Sequence, residues 1–199
     1  YAVYRKSDGA EIASTSLDAF WQAAGVDPLD NSFDPRVLYD PAVDRWYALS
    51  ADGAPEPNHF LFAVSQSSDP LDGWTGFAID SDSSDAVWAD FPMLGYDDGA
   101  VYLAAPMFPV VGPDRPTGNT FVVLPKDDLL APVPSVGGAT VFERTSLAQS
   151  GFQPQAVVNQ DGSDVAAKFY AGTLTFLGQI QMAAIDGPPA SIRSDPGRD

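Results

Sequence analysis

The chain has 199 residues, with 27 Asp and Glu against 10 Lys and Arg, a net charge of −17 and a pI near 4.1. That balance excludes a nucleic-acid binder, which needs a basic face to neutralise phosphates, and argues against docking on anionic lipid. With no Cys and one His (His59), disulfides, thiol catalysis, zinc-thiolate, iron–sulfur and multi-His metal sites are excluded too.

Residues 1–5 read as the middle of a strand, so the chain looks cut from something longer, and the missing signal peptide says nothing about secretion. Residues 16–24 predict a short helix, with Ser16 as cap, Asp18 in the first turn and Gly25 as stop. Short β-branched and aromatic runs follow at 36–39, 45–49, 60–64, 74–79, 100–104, 120–124, 168–170 and 180–185, separated by Asp, Gly and Pro turns. Residues 126–131, between Pro125 and Pro132, predict one or two helical turns. No apolar run is long enough to cross a membrane as a helix, which takes about 18 residues or more.

The pattern repeats. Asp34-Pro35, Phe91-Pro92 and Gln153-Pro154 each open a short apolar strand that ends in an Asp or Asn turn and returns as a second strand. The prolines are 57 and 62 residues apart. A third strand (60–65, 120–124, 173–178) and a fourth (74–80, 139–144, 179–186) complete each unit. Four antiparallel strands per roughly 60 residues is the size of a β-propeller blade, and closed propellers have about 4–8 blades. The chain therefore predicts an all-β, β-propeller-like fold of about three four-stranded blades in an incomplete ring. The units lie near 34–90, 91–152 and 153–186, within a partial propeller over 1–186. A flexible tail or linker follows over 187–199. A sandwich or jelly roll is the alternative architecture.

The segments Phe33-Asp34-Pro35-Arg36-Val37-Leu38-Tyr39-Asp40 with Asp44-Arg45-Trp46, Ala63 to Pro70 with Gly73-Trp74, Trp88 to Asp97, and Pro125 to Leu130 carry a resemblance. They are similar to secreted bacterial β-propeller repeat proteins of the sialidase-like and glycosidase-like propeller superfamily. The resemblance runs over residues 17–131 and is poor over 145–199. It implies an extracellular or cell-surface location, to which the absence of Cys is no obstacle in a bacterial exported protein.

Several groups of residues are candidates for chemistry. Glycoside hydrolysis needs two carboxylates in unlike environments across one bond, and Asp34 and Asp90 stand at the starts of inner strands, with Glu143 the nearest Glu. Asp34-Pro35 is similar to the Asp-Pro element of propeller glycosidases. The plain alternative is that each Asp caps its own turn. Calcium, the candidate cofactor, takes clustered oxygen ligands, and Asp27, Asp30 and Asp34 form one cluster, Asp80, Asp82 and Asp85 another. Asp85 and Phe91 stand where an EF-hand loop needs Gly and Glu, so the second cluster is not that motif. Trp88 is the Trp expected to face a channel and stack on sugar, whereas Trp46 and Trp74 are expected in the core. His59 has no Gly-x-Ser-x-Gly companion, so a hydrolase triad is not expected. Arg36 and Arg45 are expected to pair with Asp40 and Asp44. The reading favoured is a non-catalytic binding or scaffold module whose partner is carbohydrate or another surface protein, with Trp88, Asp34 and Asp90 as ligand-binding residues. The alternatives are a fragment of a glycoside hydrolase or sialidase-like enzyme, and a structural repeat of a large adhesin.

Overall fold

The computed structural model describes residues 1–160 and, as strands, residues 167–172, 180–186 and 191–195. It is all-β in antiparallel sheets, with short helices between them. A two-stranded hairpin of β1 (Ala2–Tyr4) and β2 (Glu11–Ser14) leads into helix α1 (Leu17–Ala23). The Ser16 hydroxyl accepts the Ala19 N–H at 3.2 Å, which satisfies a donor that the first turn leaves open. Gly25, at φ +91°, ends the helix where a Cβ would be strained.

The first sheet runs in chain order: β3 (Phe33–Asp40), β4 (Arg45–Ala51), β5 (His59–Ser65) and β6 (Trp74–Asp80). In the second, β7 (Val87–Ala89) and β8 (Met93–Tyr96) both pair with β9 (Ala100–Pro109) and together make one interrupted edge strand. Strands β10 (Gly118–Pro125) and β11 (Thr140–Thr145) continue outward, with the single-turn helix α2 (Lys126–Leu129) between them. The third follows the one-turn α3 (Leu147–Ser150) with β12 (Phe152–Ala156), β13 (Ala167–Gly172), β14 (Ile180–Asp186) and β15 (Ser191–Asp195), again in chain order.

The third unit departs from expectation. Residues 173–178, expected as its third strand, lie outside the described residues. Strand β14, expected as the fourth, is the third. The fourth is β15, inside the segment 187–199 expected as a tail, and it pairs with β14 from Met182–Asp195 to Asp186–Ser191. An edge strand needs only backbone pairing on one side, so the polar Ser191-Ile192-Arg193-Ser194 carries no apolar run to reveal it.

The sheets stack through apolar faces. Tyr47, Leu49, Phe60 and Phe62 of the first sheet meet Leu94, Leu103, Val122 and Leu124 of the second in the largest core. Phe20 and Trp21 of α1 cover Ala48, Leu61 and Ala63 on the opposite face of the first sheet. Ala156 of β12 packs on Tyr102, Ala104 and Phe121 of the second sheet. There the Tyr96 N–H donates to the Val157 carbonyl and the Asn159 N–H to the Tyr96 carbonyl, each at 2.8 Å. Gly95 permits this approach, because a Cβ there would overlap the Val157 carbonyl oxygen.

A polar clamp crosses the first junction. Lys126, 4% exposed, places its Nζ 2.5 Å from Asp40 Oδ2 and 4.9 Å above the Tyr96 ring. The Asp40 carboxylate also accepts the Ala42 N–H, and burial, reinforced by that carboxylate, pushes the Tyr47 phenol well above its ordinary pKa. The expected Arg36–Asp40 and Arg45–Asp44 pairs do not form. Lys126 takes Asp40, Tyr39 donates its hydroxyl to Asp44, and Arg45 donates to the carbonyls of Val43 and Asp44.

His59 is structural as well. Buried Asp52 accepts the His59 N–H at 2.8 Å and the Leu29 N–H at 3.0 Å, and the imidazole Nδ1 lies 3.4 Å from Asp52 Oδ2. Burial acts to raise the Asp52 pKa, but the bonds from His59 and Leu29 outweigh it and hold the carboxyl below its ordinary range. The bond to Asp52 raises that of His59 against the opposing effect of burial. The imidazolium therefore stabilises the fold below its unfolded value of 6.5, and this stabilisation is lost as pH rises through the raised folded value. The carboxylate contributes above its unfolded value of 3.8 and is lost as pH falls through the lowered folded value. The melting-temperature difference between wild type and His59→Gln is expected to peak between those unfolded values and to shrink above neutrality. A difference constant from pH 4 to 9 would contradict the pairing.

Candidate functional site

The first strands of the three sheets share one irregularity. Phe33 faces Ala51 but Arg36 faces Leu49, so three steps on β3 match two on β4. Phe152 faces Gly172 and Gln155 faces Tyr170, the same extra residue. In the second sheet Ala89 faces Met107 and Met93 faces Ala104, again one residue in excess. Each bulge sits at the repeated X-Pro step. The residue before the proline is left-handed in all three: Asp34 at φ +50°, Phe91 at φ +49° and Gln153 at φ +51°. Proline cannot donate to the ladder, so the strand bulges where it enters. A bulge re-aims the side chains on either side of it.

Those side chains gather at the first two bulges. Asp90 is half-buried, and burial is the main reason its pKa is raised; the charges of Asp34 and Asp114 add to the rise, opposed by the Phe91 N–H that Asp90 accepts at 2.8 Å. Asp34 is half-buried in its turn. The Arg36 guanidinium lies 4.9 Å above the Phe91 ring, and its Nη2 is 3.7 Å from Met93 Sδ. Arg36 Nε is buried without a hydrogen-bond partner, and Phe91 is 43% exposed. The cluster thus offers an open aromatic ring, a guanidinium and two carboxylates, one of them held toward its protonated form. Asp34 and Asp90, expected as a pair, are within electrostatic reach of each other. Arg36 and Phe91 were missed as site residues, though the Pro35 and Pro92 repeat marked their positions.

The other candidates lie elsewhere. Trp88, on β7, is half-buried with its ring 5.4 Å from that of Phe108. Asp82 is fully engaged: Arg144 Nε lies 3.0 Å from Oδ1, while Oδ2 accepts from Ser84 Oγ, Ala86 N–H and Val87 N–H. Asp80 accepts the Asp82 N–H, and Asp85 takes a left-handed turn position. Arg144, from β11, thus pairs with one of the three carboxylates of this loop. Asp27 accepts from Gln22, and Asp30 from Asn31. Among the described residues no group of three or more Asp, Glu or His is placed to hold a metal. Glu143 is held by Ser83, accepting from its N–H and hydroxyl.

Two Trp expected in the core are half-buried. Trp46 and Trp74 border a groove of about 810 Å³ between the β1–β2 hairpin and the first sheet, and donate their Nε1–H to the carbonyls of Ser68 and Pro70. Trp21 is the fully buried one. No helix among the described residues is long and apolar enough to cross a membrane. Comparison with protein families, curated proteins and solved structures finds no match for this chain.

Proposed function

We propose that the chain is part of a β-propeller-like, extracellular or cell-surface module that binds rather than transforms its ligand, with carbohydrate as the ligand class. Three four-stranded meanders of similar length, stacked face to face and bulged at the same step, support the propeller reading. The observation that carries the ligand site is the cluster of Phe91, Arg36, Asp34 and Asp90 at the first two bulges. An open ring stacks on the apolar face of a sugar, and a guanidinium and carboxylates bind its hydroxyls. Glu143, the Glu that precedes the third unit, is tied to Ser83.

One observation favours a second reading, glycoside hydrolysis: Asp90 is raised while Asp34 stands beside it as a negative charge. Calorimetric titration with neutral and acidic oligosaccharides, together with an assay for released reducing ends, separates the two. Saturable binding without release is expected, and Asp34→Asn should weaken it about tenfold, a loss of about 1.4 kcal/mol. Release of reducing ends that Asp34→Asn abolishes would establish the hydrolase instead. Binding to no oligosaccharide in the panel would remove carbohydrate as the ligand.

A further inference from the structure

The groove behind the first sheet has features that its own chain leaves unused. Its floor is the face of β3 and β4 turned away from the second sheet, where Val37 is 57% exposed beside Tyr39 and Trp46. Helix α1 covers Ala48 of β4 together with Leu61 and Ala63 of β5, and the part over β3, at Val37, lies open. On the hairpin side the groove is lined by consecutive residues 1–6 and by Ile12 alone from β2, so β1 is the strand that borders it.

Strand β1 has an unpaired edge. Tyr1 and Thr15 exchange backbone hydrogen bonds, and Arg5 N–H donates to the Ala10 carbonyl. By strand alternation the N–H and C=O of Ala2 and Tyr4 point away from β2. Among the described residues β1 pairs with β2 only, and a two-stranded ribbon is marginal in water. In a chain of net charge −17, the β1 end of the groove carries Arg5 and Lys6, and Lys6 makes no ion pair among the described residues.

We propose that this groove is a docking site for an extended peptide, which adds to β1 as a third strand, turns alternate apolar side chains onto β3 and β4, and sets a carboxylate near Lys6. Unpaired strand edges take up peptides through main-chain bonds, with pockets for alternate side chains giving specificity. The groove meets the bulge cluster at Pro35 and Arg36, which line it, while the peptide pairs with β1 at its other side; protection of the Ala2 and Tyr4 amides therefore reads this proposal apart from the carbohydrate reading.

The probe is the capped peptide Asp-Val-Thr-Val-Thr-Val-Asp, titrated into the full chain with tryptophan fluorescence and amide hydrogen exchange as readouts. Saturable binding should slow exchange at the Ala2 and Tyr4 amides, because each would become bonded. N-methylating the peptide on its pairing edge should weaken binding at least about tenfold while leaving the protein untouched. Lys6→Glu should weaken it by about threefold to tenfold, and Tyr4→Pro, which removes an outward N–H that β2 does not use, should weaken it likewise. Absence of binding, or binding that leaves those amides unprotected and tolerates N-methylation, would overturn the proposal.

Discussion

Lys126→Met is expected to lower the unfolding free energy by about 3–5 kcal/mol, because it leaves the Asp40 carboxylate buried and unpaired. Both partners are nearly sealed from water, Lys126 at 4% and Asp40 at 1% exposure. The lysine is held from two sides, by the carboxylate at 2.5 Å and by the Tyr96 ring. The pair joins the end of β3 to the start of α2 and so ties the first sheet to the second. Adding Asp40→Leu should recover most of the loss, since an apolar pair of similar volume avoids the desolvation of two ions. Urea unfolding of the wild type, the single variant and the double variant measures this. A single-variant loss below about 1 kcal/mol, the range of an exposed pair, would mean that water reaches the clamp.

Gly95→Ala should cost about 1–3 kcal/mol or more, and the damage should fall on the junction between the second and third sheets. The added Cβ would overlap the Val157 carbonyl oxygen and come within 2.7 Å of the Ala156 Cβ. Both neighbours belong to the segment that crosses β8, so relief requires the two segments to separate. The bonds from Tyr96 N–H and Asn159 N–H would lengthen with that separation. Amide exchange at Tyr96 and Asn159 should therefore accelerate more than exchange in β5, at the centre of the first sheet. Equal acceleration throughout would mean that the substitution acts on global stability alone.

Much of the fold was legible because apolar runs and turn residues agreed. Residues 74–80, expected as a fourth strand, are β6, and Ser16 caps α1 as its position implied. The third unit was misnumbered because β15 has no apolar run and is defined by backbone pairing to β14. The site was half legible. The X-Pro repeat marked the positions of Asp34 and Asp90, but the bulges, and the partnership of Arg36 with Phe91, depend on how two sheets face each other. Composition could not reveal that Lys126 is the buried partner of Asp40, since only packing places residues 40 and 126 together. The acidic loop at 80–85 looked available to a cation because the partner of Asp82, Arg144, lies some sixty positions away in sequence.

The shared bulge has a consequence for how such a surface can change. The backbone at the X-Pro step is the same in three sheets, yet the residue in the left-handed position is Asp in the first, Phe in the second and Gln in the third. An acid, an aromatic ring and an amide are therefore accepted by one geometry. The scaffold behaves as a set of interchangeable sockets. The side chain can be exchanged one residue per sheet, at positions 34, 91 and 153, while the prolines and the stacked cores keep the frame unchanged.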